Sequence, residues 1–169
     1  QPDVRALDSV DVRDSTFEKA RAGGLTLVNI MPGSGHLLSG QTVYLKLRDG
    51  NTIDDLVVKN ADGSVAGGIK MANGTNPIRD APFPGTRGKS AALVRQKFLE
   101  AQAYQAKLAD QDGEPPARDL VLEALVEVLE AEASEVVVLL EDGNPCIHFI
   151  IARRFYDIVI CLFLVSIHE

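Results

Sequence analysis

The stretch GGIKMANGTNP (residues 67–77) joins a short apolar run to a polar turn, and it indicates the fold class. The residues leading into it, DLVVKNADGSVAGGIKM (residues 55–71), predict two short strands around an Asp-Gly turn. Glycine permits close backbone approach, and asparagine side chains both donate and accept hydrogen bonds. The stretch therefore predicts either a ligand-facing loop after a strand or an ordinary turn whose asparagines cap the neighbouring backbone.

The residues upstream predict a short helix followed by two strands with a loop between them. Asp14 or Ser15 is a suitable cap for a short helix, and Gly23-Gly24 is a suitable end for it. LTLVNIM (residues 25–31) then predicts a buried strand, PGSGHLLSGQ (residues 32–41) a loop, and TVYLKLRDG (residues 42–50) a second strand. A helix, a glycine stop, a buried strand and a polar loop in this order are typical of α/β proteins.

The residues downstream predict two helices after a turn-rich segment with three prolines (residues 77–88). Apolar residues at helical spacing indicate a helix over residues 89–109, with Val94, Phe98, Ala101 and Leu108 on one face. Pro115-Pro116 interrupts that pattern. A second helix follows, and its inward residues are predicted to be Leu122, Leu125, Val126 and Leu129.

The tail is different in character, because it contains three apolar runs rich in β-branched residues. These runs are EVVVLLEDG (residues 135–143), CIHFIIARR (residues 146–154) and YDIVICLFLVSI (residues 156–167). Such runs are typical of strands that are buried on both faces. We therefore predict strands here, with Cys161 buried and His148 shielded from solvent.

Composition and charge restrict the function classes. The 169 residues suit one domain, and the net charge of −7 argues against general nucleic-acid binding. Residues 70–97 contain six basic residues against one acidic, whereas residues 108–142 contain eleven acidic residues against one basic. The most apolar segment is shorter than the ~20 residues that a membrane helix needs. With no signal peptide visible, a cytoplasmic location is expected.

No short motif completes an active site. GTRGKS (residues 85–90) lacks the first glycine of a phosphate loop, because Phe83 occupies that place. A glycine turn into the long helix is the simpler interpretation, although backbone amides beside Arg87 and Lys89 can hold an anion there. The three histidines, His36, His148 and His168, have no spacing typical of zinc ligands.

Three longer sequence segments resemble those of a known family. ARAGGLTLVNIMPGSGHLLSGQ (residues 20–41), GGIKMANGTNP and PFPGTRGKSAALVRQKFLEAQAY (residues 82–104) are similar to the amidohydrolase superfamily, in its imidazolonepropionase-related branch. The resemblance covers residues 2–130. It implies a metal-dependent hydrolase of C–N bonds that is built on a (β/α)8 barrel. This chain resembles the middle part of such a barrel. A complete barrel takes about 250 residues.

The resemblance also implies a set of site residues. Gly40-Gln41 and the residues from Lys70 to Asn76 are expected to face the pocket, with Lys70 in the place where some relatives use a carboxylated lysine. Lys70 is thus the catalytic candidate. The candidates for substrate binding are His36, Gln41, Asn73, Asn76, Arg87 and Lys89. The family implies zinc or another divalent metal, but no residue here can be assigned as its ligand, because SEVVVLLEDGNPCIHF (residues 134–149) stands where a histidine-rich strand is expected.

The expected fold is α/β, either a partial (β/α) barrel-like structure or an open, mostly parallel sheet flanked by helices. We expect one domain over residues 1–169, with an amidohydrolase-like part (residues 1–130) and a divergent β-rich tail (residues 131–169). Two functions stay open: a segment of a metal-dependent amidohydrolase acting on amide-like or cyclic amide bonds, or a non-catalytic α/β module or oligomerising fragment with a substrate- or anion-binding loop. The expected partner is a small-molecule substrate, without nucleic acid or membrane. A homo-oligomer can form through strand edges or the apolar tail.

Overall fold

The computed structural model describes residues 1–130, 135–140 and 147–151. Within these residues the chain forms a 3₁₀ helix at Ala6–Ser9, four α-helices and six strands. The helices are α1 (Ser15–Ala22), α2 (Ile53–Leu56), α3 (Arg87–Ala109) and α4 (Leu120–Glu130). The strands are β1 (Leu27–Ile30), β2 (Leu38–Gln41), β3 (Val43–Lys46), β4 (Gly68–Ala72), β5 (Glu135–Leu140) and β6 (Ile147–Ile151).

The strands form two sheets that are mostly antiparallel. One sheet has the order β2-β4-β5-β6, in which β4 and β5 are parallel and the other neighbours antiparallel; the second sheet is the antiparallel pair β1-β3. The prediction of a mostly parallel sheet is therefore wrong for the described strands, which also form no closed barrel. A parallel pair needs a long crossover connection, and α3 and α4 provide one between β4 and β5.

Helices α1 and α3 begin and end close to the residues that the sequence predicts. The Asp14 side chain accepts a hydrogen bond from the Thr16 amide at 2.8 Å, which caps α1, and the helix ends at Gly23. Gly24 has a φ of 87°, a backbone conformation that favours glycine. Helix α3 begins at Arg87, where Thr86 Oγ1 accepts from the Lys89 amide at 3.2 Å.

Two segments differ from their predictions. Strand β2 lies inside the predicted loop, because Leu38, Gly40 and Gln41 pair with β4 across a bulge. Residues 53–56 form helix α2, where the first of two strands was expected to begin. There the Asp55 carboxylate accepts hydrogen bonds from the Asn51 and Thr52 amides, both at 2.9 Å, and completes a capping box.

Two groups of buried apolar residues stabilise the fold. The helix core joins β2 and β4 to α3 and α4, and its buried members are Leu38, Ile69, Met71, Ala101, Tyr104, Ala124, Leu125 and Val126. The N-terminal core packs the 3₁₀ helix and α2 against the small sheet, and its buried members are Ala6, Val43, Leu45, Leu56 and Val57. No residue belongs to both groups.

Strands β5 and β6 confirm that the first two apolar runs of the tail form strands. The predictions for residues 158–167, for burial of Cys161 and for shielding of the His148 side chain lie outside the described residues.

None of the helices described here is both long enough and apolar enough to cross a membrane.

Candidate functional site

Two loops meet at one end of the four-stranded sheet. The first, loop A (residues 32–37), precedes β2, and the second, loop B (residues 73–86), connects β4 to α3. Asn76 Nδ2 donates to Ser34 Oγ at 2.6 Å, and Arg79 Nη2 donates to the Gly35 carbonyl oxygen at 2.6 Å. These two contacts hold the loops together.

The Phe83 ring has two side chains close to it, those of Arg79 and His36. The Arg79 guanidinium carbon is 4.3 Å from its centroid, within the range of a cation–π contact. The His36 ring is on loop A, with its centroid 5.8 Å from that of Phe83 and the two planes tilted by 41°. Arg79 therefore links loop A to Phe83 by contacting both.

Lys70 is 5% exposed, and its Nζ donates to the Pro32 carbonyl oxygen at 2.7 Å. It lies on β4 opposite Gly40 of β2. Its neighbours Ile69 and Met71 pack into the helix core with α3 and α4. Because successive strand residues point to opposite faces, the Lys70 side chain lies on the sheet face away from these helices.

A cleft of about 380 Å³ opens between the two loops and α3. Its apolar lining includes Leu38, Phe83, Leu93 and Val94, together with three prolines. Its polar lining is Gln1, His36, Gln96 and Lys97. Lys70 is not among the lining residues, so the cleft and the Lys70 side chain lie in different places.

The structure brings some of the predicted residues together and separates others. His36 lines the cleft, and Asn76 joins the loops. Asn73 is half-buried directly after β4, while Arg87 and Lys89 are exposed in the first turn of α3. Gln41 lies apart from them.

The surroundings of Gln41 show this separation. Its side-chain amide donates to the Pro2 carbonyl oxygen at 3.1 Å. It lines a separate cavity of about 130 Å³ that also contacts Arg5 and Glu127.

Sequence reasoning missed Arg79, Phe83 and Lys97 as members of this region. The run of basic residues and the flanking prolines of Phe83 were visible in the sequence. Their grouping was not, because Arg79 and Gly35 are 44 residues apart in the chain.

Among the residues that the structure describes, no group of three or more His, Cys, Asp or Glu side chains is placed to hold a metal ion. Hydrolytic zinc sites are usually built from three such side chains and a water molecule. The described residues therefore lack a ligand set for the zinc that the sequence resemblance implies, and we assign them no step that involves a metal.

The sequence matches no known family profile and has no significant match among curated proteins. Among solved structures it is similar to an amidohydrolase from Thermotoga maritima MSB8, with 31% sequence identity and a TM-score of 0.69. The match covers 80% of this chain and 36% of that chain. In sequence and in fold, most of this chain is therefore similar to about a third of an amidohydrolase.

Proposed function

We propose that this chain is a segment of a metal-dependent amidohydrolase that acts on amide-like or cyclic amide C–N bonds. The observation that carries this proposal is the 31% identity to an amidohydrolase over 80% of the chain. The match spans 36% of that protein. The activity and the substrate of a whole enzyme are therefore proposed for this chain. The closer relationship to imidazolonepropionases rests on the three sequence phrases alone.

In this proposal the substrate site comprises the buried Lys70 together with Asn73 and Asn76. Asn73 and Asn76 follow the carboxyl end of β4, which has a parallel neighbour in β5. In folds built from parallel strands and helices, ligands bind at that end of the strands. Lys70 is the candidate for the catalytic group, and the asparagine amides would hydrogen-bond the carbonyl oxygen and N–H of an amide.

The family resemblance implies zinc or another divalent metal, for which the described residues supply no ligand set. The role proposed for Lys70, Asn73 and Asn76 is therefore contact with the substrate. A small-molecule substrate, a cytoplasmic location and self-association remain predictions.

The alternative, a non-catalytic module with an anion-binding loop, is favoured by one observation. Arg87 and Lys89 are exposed in the first turn of α3, where the helix dipole attracts negative charge.

An NMR titration of the full chain with succinimide, a five-membered cyclic imide, tests the proposal. We expect succinimide to shift the side-chain amide signals of Asn73 and Asn76. Asn73→Ala should weaken its binding about three- to tenfold, because one hydrogen bond to the ligand is lost. The matched control, Asn51→Ala, replaces an exposed asparagine beside α2 and should leave binding unchanged.

Two further measurements separate the alternatives. Inorganic phosphate that shifts the signals of Arg87 and Lys89, without any response to succinimide, would contradict the proposal and support the anion-binding module. Zinc bound in a one-to-one ratio together with hydrolysis of a cyclic amide would exclude the non-catalytic function.

A further inference from the structure

The cleft between the loops and α3 has the properties of a small-ligand site that the proposed function does not use. Its volume of about 380 Å³ is that of a pocket for a small molecule. Phe83, Leu93 and Val94 provide apolar surface, and the buried Pro77 and Pro84 also line the cleft. An aromatic or branched aliphatic group is the chemistry that such walls favour.

The walls of the cleft are held in a fixed arrangement. Arg79 contacts one face of Phe83 and donates to loop A, and Asn76 joins the same two loops. A rigid pocket loses less conformational entropy when a ligand binds. The cleft is therefore organised before any ligand enters.

The polar side of the cleft favours an anion. Lys97 and His36 line it, and none of the described lining residues is acidic. Lys97 forms an ion pair with Glu100 at 2.7 Å, but the two side chains are 48% and 36% exposed. An exposed pair of this kind is weak, so the ammonium group remains available to a second carboxylate. Arg79 adds a second positive charge beside the cleft, because its guanidinium lies 4.3 Å from the centroid of the lining residue Phe83.

We propose that this cleft binds a small monocarboxylate with an aromatic or branched aliphatic body. The body lies against Phe83, Leu93 and Val94, and the carboxylate is directed towards Lys97. This cleft is separate from the proposed substrate site at Lys70, because Lys70 does not line the cleft.

Phenylacetate and its neutral analogue 2-phenylethanol are the probes that test this site. Each is titrated into the full chain while the methyl signals of Leu93 and Val94 are followed by NMR. Both probes should shift these signals, and phenylacetate should bind about two- to fivefold more tightly, as an exposed charge pair predicts.

Lys97→Gln should remove that preference by weakening phenylacetate about two- to fivefold without affecting 2-phenylethanol. The control is Lys107→Gln, which removes an exposed lysine of the same helix outside the cleft. It should leave both affinities unchanged. Both positions are exposed, so both variants are expected to fold, and a thermal melt checks this.

Three results would overturn the proposal: equal binding of the two probes, an unchanged preference in Lys97→Gln, or methyl signals that do not respond to phenylacetate up to its solubility limit. Neither probe contains a C–N bond. Failure here would therefore leave the hydrolase proposal standing, and failure of succinimide binding would leave this one standing.

Discussion

Gly40→Ala should lower the free energy of unfolding by about 3–5 kcal/mol, because the added methyl group meets both an unfavourable backbone conformation and a steric clash. Gly40 has a φ of 134°, a conformation that other residues rarely adopt. A Cβ atom at this position would also clash with the Val4 carbonyl oxygen, which is backbone and cannot move aside easily. Urea denaturation of the variant and the parent chain measures the loss.

Two control glycines separate the causes. Gly24 has a φ of 87° but open space around it, so Gly24→Ala should cost about 1–2 kcal/mol from backbone conformation alone. Gly85 has neither a positive φ nor an atom within 4 Å, so Gly85→Ala should change stability by less than about 0.5 kcal/mol. Equal losses for Gly40→Ala and Gly85→Ala would contradict the described pairing of β2.

Leu125→Ala should cost about 2–5 kcal/mol, because it opens a cavity in the helix core. Leu125 is 0% exposed and packs among residues from α3, β2 and β4. Leu120→Ala makes the same chemical change in the same helix at a residue that is 62% exposed. It should cost less than about 1 kcal/mol. Similar unfolding midpoints for the two variants would show that α4 does not pack through Leu125.

Elements whose signals are local could be predicted from the sequence. The Asp14 cap, the Gly23-Gly24 stop and the apolar spacing of α3 lie within or beside the elements that they define. Strand β2 could not be predicted in this way, since Gly40 has low strand propensity and the strand exists through its pairing with β4.

Less of the candidate site than of the fold could be predicted from the sequence. Asn73, Asn76 and His36 were identified because they belong to phrases or turns that stand out in the sequence. The role of Arg79 depends on contacts with Gly35 and with the face of Phe83. The first of these links distant parts of the chain, and the second joins two residues four apart in a loop that is not helical, so no helix or strand pattern specifies the arrangement.

The separation of the two cores has a consequence for the order of folding. Every member of the N-terminal core and every residue packed against it lies between Ala6 and Val57. The helix core instead needs residues from Leu38 to Leu129. Contacts between residues that are near in sequence form sooner, because the chain loses less entropy when it closes the shorter loop. All the partners of the N-terminal core lie within one short segment of the chain, so this core can form before the helix core. Pulse-labelled hydrogen exchange should protect the amides of β3 before those of α4, and simultaneous protection would argue against two folding steps.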